Sequence, residues 1–184
     1  MSKTILFVVG PPGVGKTTAL SLLLDQWDLS LVEKPKWTLS PPVAMVGHYG
    51  QATFGGGDTV PYDGAKDAVM YWSKHLLHDP RYSLFVFDGD RFSTKAVMEL
   101  VTAQMLDLDH SVVSRPAVCV HLTASEAALK ARRDGRGSKQ NETWMKGRAT
   151  KAERFASIFG ENCIKLDTTS MTPQQVADAL RKFI

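Results

Sequence analysis

The stretch Gly10-Pro11-Pro12-Gly13-Val14-Gly15-Lys16-Thr17 follows the apolar run Thr4–Val9 directly and precedes a helical pattern over residues 18–27. It matches G-x-x-x-x-G-K-[S/T] at every fixed position. Its glycines let the backbone curl so that several N–H groups point at one anion, and the following helix adds its positive end. A chance Gly-Pro turn is the alternative, but the strand-loop-helix context favours a phosphate-binding loop, called the P-loop below.

The polar groups of the P-loop predict a site for ATP with magnesium. Lys16 supplies a mobile cation to the β- and γ-phosphates, and the Thr17 hydroxyl is a ligand for the Mg²⁺ that neutralises the same oxygens. The predicted nucleotide contacts are Pro12, Gly13, Val14, Gly15, Lys16, Thr17 and Thr18. The motif leaves open whether ATP is hydrolysed or gives its phosphoryl group to an acceptor.

The remaining pattern predicts one α/β domain over residues 1–184. A chain of 184 residues with 43% hydrophobic and 22% charged residues is typical of a single globular core. Apolar runs occur at residues 4–9, 29–32, 83–87, 117–122 and 164–166, with helical patterns between them. Short apolar strands that alternate with helices indicate a parallel sheet covered on both faces. We therefore predict a three-layer P-loop NTPase fold with a five-stranded parallel sheet.

Charge and composition restrict the partners only loosely. A net charge of +3 permits contact with phosphates or nucleic acid, but it is lower than that of dedicated nucleic-acid binders. The two cysteines form no C-x-x-C pair, and the run Thr4–Val9 is too short for a signal-peptide core or a membrane span. These features predict a cytoplasmic protein with no membrane partner.

A second acidic element follows the strand predicted at residues 83–87. Asp88 ends this strand, as expected of an aspartate that binds magnesium opposite a P-loop. Asp90 and Arg91 lie two and three residues further on, at the sheet edge where open α/β folds bind ligands. We predict catalytic roles for Asp88 and Asp90, with Asp88 on the metal. The alternative is that both aspartates only cap the turn before the next helix.

A basic segment at about residues 130–147 is predicted to be a lid. Arg132 and Arg136 are its candidate catalytic residues, Arg132 is also expected to contact ATP, and Gly135 and Gly137 are candidate hinges. A closing segment of this kind excludes water and brings cations to the transferring phosphate. The alternative is a solvated run of charges at the end of a helix.

Two helix starts are predicted from capping boxes. Thr123 with Glu126 marks one, and Thr172 with Gln175 marks the other, where Pro173 occupies the first helical position.

With these elements in view, the chain resembles nucleotide kinases of the thymidylate-kinase branch. The triplet Asp90-Arg91-Phe92 is similar to that family's Asp-Arg-aromatic motif, and His121-Leu122-Thr123 with the helix after it is similar to the approach to its lid. The segment Lys165-Leu166-Asp167-Thr168 is similar to its last strand. The resemblance implies a nucleoside-monophosphate-kinase-like fold with a lid, and a deoxynucleoside monophosphate as acceptor.

Two departures suggest another acceptor. Gly89 separates Asp88 from Asp90, and the run Phe54-Gly55-Gly56-Gly57-Asp58 is similar to small bacteriophage P-loop kinases. Among these are kinases that phosphorylate 5-hydroxymethyluracil in DNA. This resemblance implies a modified pyrimidine in DNA as acceptor, in the hypermodification of phage thymidine, and hence the host cytoplasm as location.

The acceptor decides which further residues matter. A hydroxyl acceptor needs a base, and Asp58, Asp63, Asp88 and Asp90 offer carboxylates among which the sequence does not choose. Asp58, Arg91, Phe54 and Tyr49 are the predicted substrate residues. Five aromatic residues are candidates to stack on a base, although aromatic residues are more often part of a core: Trp37, Tyr49, Phe54, Tyr62 and Phe92. An ATP-dependent switch without any phosphorylated product is the third hypothesis.

Overall fold

A single sheet runs through the computed structural model, which describes residues 3–24, 26–50, 55–106, 117–137 and 140–184. Within these ranges the sheet has seven strands in the order β2-β3-β4-β5-β1-β6-β7. They are β1 (Thr4–Val9), β2 (Ser30–Glu33), β3 (Lys36–Ser40), β4 (Val43–Val46), β5 (Leu84–Asp88), β6 (Val118–Thr123) and β7 (Cys163–Asp167). The pairs from β4 to β7 are parallel, whereas β2-β3 and β3-β4 are antiparallel. The fold is thus mixed α/β with a mostly parallel sheet.

The prediction of a five-stranded sheet is wrong in its strand count. The predicted strand at residues 29–32 corresponds to β2, which lies at the edge and pairs antiparallel with β3. Neither β3 nor β4 was predicted, because Pro41 and Pro42 interrupt the pattern and polar residues lie inside it. One of these, Thr38, is fully buried and donates its hydroxyl hydrogen to Gly47 O at 2.8 Å. Its hydrogen bond makes burial of the polar side chain acceptable.

Five α-helices lie between strands of the described chain, and a sixth follows β7. They are α1 (Lys16–Ser21), α2 (Ala65–Tyr71), α3 (Lys95–Leu106), α4 (Glu126–Asp134), α5 (Glu142–Ile158) and α6 (Pro173–Arg181), with a π-helical turn over Trp72–Leu76 after α2. Helix α1 is shorter than the pattern over residues 18–27 predicts, because its last turn tightens into i−3 bonds such as Leu23 N–H to Leu20 O. None of the helices in the described ranges has the length and apolar character needed to cross a membrane.

Side chains of β1, the middle one of the five parallel strands, alternate between two cores. Ile5, Phe7 and Val9 of β1 pack in one core with residues of α2, α3 and α5. Leu6 and Val8 pack in the other, with residues of α1, α4 and α6. Helices therefore cover both faces of the sheet, and the parallel strands bring their carboxyl ends to one edge.

One predicted helix start is confirmed and one is wrong. Thr172 and Gln175 form a complete capping box with Pro173 in the first turn of α6. At α4, Thr123 is instead the last residue of β6, and the Ser125 hydroxyl accepts the N–H of Ala128 at 3.3 Å. The strand continues as far as Thr123 because β7 pairs with it there.

Candidate active site

The P-loop connects β1 to α1 through backbone conformations that require glycine. Gly13 and Gly15 have φ values of 89° and 98°, in the left-handed region that other residues avoid. A Cβ on Gly10 would lie 2.4 Å from Leu122 O, so the loop packs directly on the backbone of β6. The sequence motif therefore marks a backbone shape that this sheet imposes.

Lys16 folds back over the P-loop. Its ammonium donates to Gly10 O at 2.8 Å and to Pro11 O at 3.4 Å. Burial lowers the pKa of Lys16, while the nearby Asp88 carboxylate acts in the opposite direction. Among the described residues no carboxylate lies within ion-pair distance of Lys16. A cation that is bonded only to carbonyl groups remains available to an anionic ligand.

Asp88 lies at the carboxyl end of β5, beside Val8 of β1. The residue is only 2% exposed, and burial raises the pKa of its carboxyl group, an effect that Lys16 opposes. The Tyr49 hydroxyl donates to Asp88 Oδ2 at 2.9 Å. Oδ1 is buried and has no hydrogen-bond partner within the described part of the chain. An unpartnered buried carboxylate oxygen is costly and points to a missing cation or donor.

Thr17 and Asp88 fit a magnesium ion that is held largely by phosphate oxygens and water. A Cβ on Gly56 would lie 3.0 Å from Asp88 Oδ2 and 3.1 Å from Thr17 Oγ1, so both groups border the same small space. Magnesium at nucleotide sites usually takes one or two protein oxygens and keeps several waters. The described ranges contain no cluster of three or more His, Cys, Asp or Glu side chains able to hold a metal without phosphate.

A glycine segment closes over this space from the side of β4. The Gly56 N–H donates to His48 O at 2.6 Å, and the two residues form an isolated antiparallel bridge. A Cβ on Gly57 would lie 1.8 Å from Asp88 O, and one on Gly47 would lie 2.1 Å from Gly56 O. Only glycines allow this approach, which brings residue 58 to the rim of the site.

Asp58 and Arg91 lie together at the rim of the space beside Asp88. Both were predicted as substrate residues, and the structure brings them into contact. Arg91 Nη1 lies 3.2 Å from Asp58 Oδ1, and the Asp58 side chain is 78% exposed. Arg91 is more enclosed, and its Nε has no partner among the described residues. Phe54, the third predicted substrate residue, lies outside the described residues.

The predicted stacking role of Tyr49 does not fit its position. The residue is fully buried, as are Trp37 and Phe92, so no face of these rings is accessible to a base. Its proximity to Asp88 was not predictable, because the two residues are 39 positions apart. Among the aromatic candidates in the described ranges, Tyr62 remains exposed.

Asp90, predicted as catalytic, is bound to α5. Its Oδ2 pairs with Arg148 and lies 3.0 Å from Lys151 Nζ, which also donates to Asp90 O at 2.8 Å. Neither partner was predicted, since both are more than 50 residues away in the chain. The arrangement assigns Asp90 to the attachment of α5 and leaves Asp88 facing the P-loop.

The predicted lid, residues 130–147, comprises the end of α4, a turn and the start of α5, and residues 138–139 of it lie outside the description. Arg132 Nη1 donates to Val14 O at 3.2 Å and its Nη2 to Thr168 O at 2.5 Å, so it joins the P-loop to the end of β7. Arg136 is exposed and donates through Nε to Arg132 O at 3.3 Å. Arg132 is therefore held by carbonyl groups, and Arg136 is the more accessible of the two cations.

A cavity of about 300 Å³ opens beside the P-loop. Its lining combines the P-loop and the start of α1 with both arginines of the predicted lid and apolar residues in and just before α6. It consists of Gly13, Val14, Gly15, Thr18, Arg132, Arg136, Met171, Pro173 and Val176. The volume is at the lower end of small-ligand pockets.

Comparison with known proteins gives structural similarity at low identity. The tunicamycin resistance protein of Deinococcus radiodurans is 17% identical, with a TM-score of 0.48 over 98% of this chain and 94% of that one. An uncharacterized protein of Eubacterium ventriosum is 12% identical, with a TM-score of 0.46 over 100% of this chain and 98% of that one. No protein-family model and no curated protein matches the sequence.

Proposed function

We propose that this chain is a P-loop kinase that transfers a phosphoryl group from ATP in the presence of magnesium. The observation that carries the proposal is the buried Asp88 carboxylate: its Oδ1 has no partner among the described residues, its Oδ2 borders the same space as Thr17 Oγ1, and the charge of Lys16 acts on it. We further propose that the parallel part of the sheet is a three-layer P-loop NTPase fold of the nucleoside-monophosphate-kinase type. The parallel strand order β4-β5-β1-β6-β7 and the helices on both faces support this.

Each of these residues would have a separate role in binding the nucleotide. Lys16 would exchange its two carbonyl contacts for the β- and γ-phosphates, and the P-loop N–H groups would hold the same oxygens. Thr17 and Asp88 would hold magnesium, which neutralises charge on the transferring phosphoryl group when bound. The cavity lined by Val14, Arg132 and Val176 would take the base.

Asp58 supports transfer to an acceptor rather than hydrolysis alone. Its exposed carboxylate stands at the rim, whereas Asp88 is occupied by Tyr49 and the metal site, and Asp90 is held by α5. Asp58 is therefore the best-placed base. It would take the proton of an acceptor hydroxyl while that oxygen bonds to the γ-phosphorus and the bond to ADP breaks.

For the acceptor we propose the hydroxymethyl group of 5-hydroxymethyluracil in DNA. A neutral hydroxyl suits a rim whose guanidinium, Arg91, is already paired with Asp58. A deoxynucleoside monophosphate is the second candidate, since its phosphate could take the place of Asp58 on Arg91.

Two assays test these proposals. Calorimetry should detect binding of a non-hydrolysable ATP analogue that strengthens with magnesium; no binding would refute the nucleotide site. Radiolabelled ATP is then offered with duplex DNA containing 5-hydroxymethyluracil, the same duplex with thymine, thymidine monophosphate and free nucleosides. Label only in the hydroxymethylated duplex is expected. Label in thymidine monophosphate would favour the second candidate, and hydrolysis without label would favour a switch.

A further inference from the structure

Tyr49 is a buried tyrosine whose hydroxyl reaches the candidate metal site. It is fully buried, and its hydroxyl donates to Asp88 Oδ2 at 2.9 Å. Burial, followed by the charge of Asp88, raises the pKa of Tyr49 well above its ordinary value, so the hydroxyl keeps its proton and acts as a donor. The proposed mechanism does not use this group.

The backbone of Tyr49 is fixed by the antiparallel hairpin. Its N–H donates to Thr38 Oγ1 at 3.0 Å, and the Thr38 hydroxyl donates to Gly47 O at 2.8 Å. Thr38 lies on β3 and is fully buried. A chain of hydrogen bonds therefore runs from β3 through Tyr49 to the carboxylate at the end of β5.

This chain of contacts limits the rotation of the Asp88 carboxylate. The torsion that turns a carboxylate is broad and two-fold in the absence of partners. Lys16 and Asp58 act on Asp88 only through their charges in this arrangement, and the Gly57 backbone N–H also favours the charged carboxylate. The Tyr49 hydroxyl is the side-chain donor, and it bonds to one defined oxygen, Oδ2. With Oδ2 held, Oδ1 is the oxygen left for a cation or for a water bound to it.

We propose that Tyr49 is a positioning residue that orients Asp88 toward magnesium in the nucleotide complex. The inference rests on the proposed function, because it assumes that Asp88 binds the metal. Removal of a group that is hydrogen-bonded to a metal ligand commonly weakens metal affinity by about 10- to 100-fold.

The test compares Tyr49→Phe with Tyr82→Phe. Tyr82 is 2% exposed and lies before the amino end of β5, away from the site, so its variant controls for loss of a buried tyrosine hydroxyl. Binding of Mn²⁺ to the protein with ADP is measured by electron paramagnetic resonance, and ADP affinity without metal is measured by calorimetry. We expect Mn²⁺ affinity about tenfold weaker in Tyr49→Phe, with unchanged metal-free ADP affinity and wild-type behaviour of Tyr82→Phe.

Each outcome has a separate meaning. If the wild-type protein binds no ADP, the proposed function fails and the role of Tyr49 with it. If the wild-type protein binds Mn²⁺ with ADP and Tyr49→Phe does so equally well, only the positioning role is wrong. Equal losses in Tyr49→Phe and Tyr82→Phe would also overturn it. If Tyr49→Phe does not fold, Thr38→Val, which removes the anchor of Tyr49, replaces it, and wild-type Mn²⁺ affinity in that variant refutes the proposal.

Discussion

The P-loop edge and the α5 side of the molecule both present charges at the carboxyl end of the sheet, but they use them differently. At the P-loop edge, Lys16 bonds only to carbonyl groups and Asp88 keeps an oxygen without a partner in the described chain. On the α5 side, Asp90 is paired with Arg148 and Lys151. Two aspartates only two residues apart thus have opposite surroundings.

The difference distinguishes charges that are available to a ligand from charges that attach one element of the fold to another. A buried charge without a partner lowers stability, and proteins tolerate it mainly where a ligand compensates. An ion pair between two elements holds those elements together. Removing one partner leaves the other charge unpaired, which lowers the stability of the fold. Variants on each side should therefore change different quantities: nucleotide chemistry at the P-loop edge, and stability at α5.

The largest effect is expected from Lys16→Ala. It removes the cation placed for the β- and γ-phosphates and no core contact, so phosphoryl transfer should fall by at least about a hundredfold with little change in melting temperature. Lys130→Ala is the matched control, because that lysine is exposed and its ion pair within the described ranges is with the exposed Asp134. Near-normal transfer in Lys16→Ala would remove the P-loop from the mechanism.

Asp88→Asn should separate activity from stability. Loss of the negative charge should lower magnesium-dependent transfer by about a hundredfold. Because a buried and incompletely paired charge disappears, the melting temperature should rise by about 2–4 °C, as expected for about 1 kcal/mol in a chain of this size. Calorimetry and a magnesium titration measure the two effects. A lower melting temperature would mean that the carboxylate is mainly structural.

Gly56→Ala probes the narrow space between Thr17 and Asp88. A methyl group there would lie about 3 Å from both oxygens on a backbone with φ of 83°. We expect magnesium affinity in the nucleotide complex to fall by about tenfold. Gly147→Ala is the control, since nothing lies within 4 Å of its added Cβ. Equal behaviour of the two variants would argue against a metal site beside Gly56.

Asp90→Asn should act chiefly on stability. It weakens the bonds to Arg148 and Lys151, so the free energy of unfolding should fall by about 1–2 kcal/mol, with transfer reduced less than tenfold. Chemical denaturation measures the first quantity and the acceptor assay the second. A loss of transfer as large as that of Asp88→Asn would move Asp90 into the chemistry.

The smallest effect concerns the pH dependence of stability on the α5 side. Burial lowers the pKa of His121, although Glu153 acts in the opposite direction and Lys165 and Lys16 add to the lowering. The folded state then binds its proton less readily than the unfolded state, so stability is lost as pH falls below the unfolded pKa near 6.5. His121→Gln should flatten the decrease in melting temperature between about pH 7.5 and pH 5.5. An identical decrease in both proteins would exclude this role.

The site features that the sequence predicted have local causes. The P-loop is one contiguous turn, and Asp88 follows directly from the apolar strand before it. Both could be placed without knowing what packs against them. Asp58 and Arg91 were each predicted as substrate residues, Asp58 from the glycine run before it and Arg91 from its place just after the strand that ends in Asp88.

The features that escaped prediction depend on distant contacts. In the sequence, Thr38 interrupts the apolar pattern of a strand, and only the structure shows that its hydroxyl donates to Gly47 O. The partners of Asp90 lie on α5, and the ring of Tyr49 is enclosed by elements far along the chain. Hydrophobic periodicity and motif spacing carry no information about these distant contacts. The sequence alone therefore allowed a substrate-contacting role for Tyr49 and a catalytic role for Asp90.

The close packing of Gly47, Gly56 and Gly57 also bears on where the sequence of this chain can change. A side chain at any of the three positions would meet backbone or site atoms within about 3 Å. We expect any single substitution at these three positions to damage the site, so the sequence cannot change there one residue at a time. Sequence change near the site would have to begin at exposed neighbours such as Asp58 and Tyr62, whose side chains can be replaced without disturbing the backbone beneath.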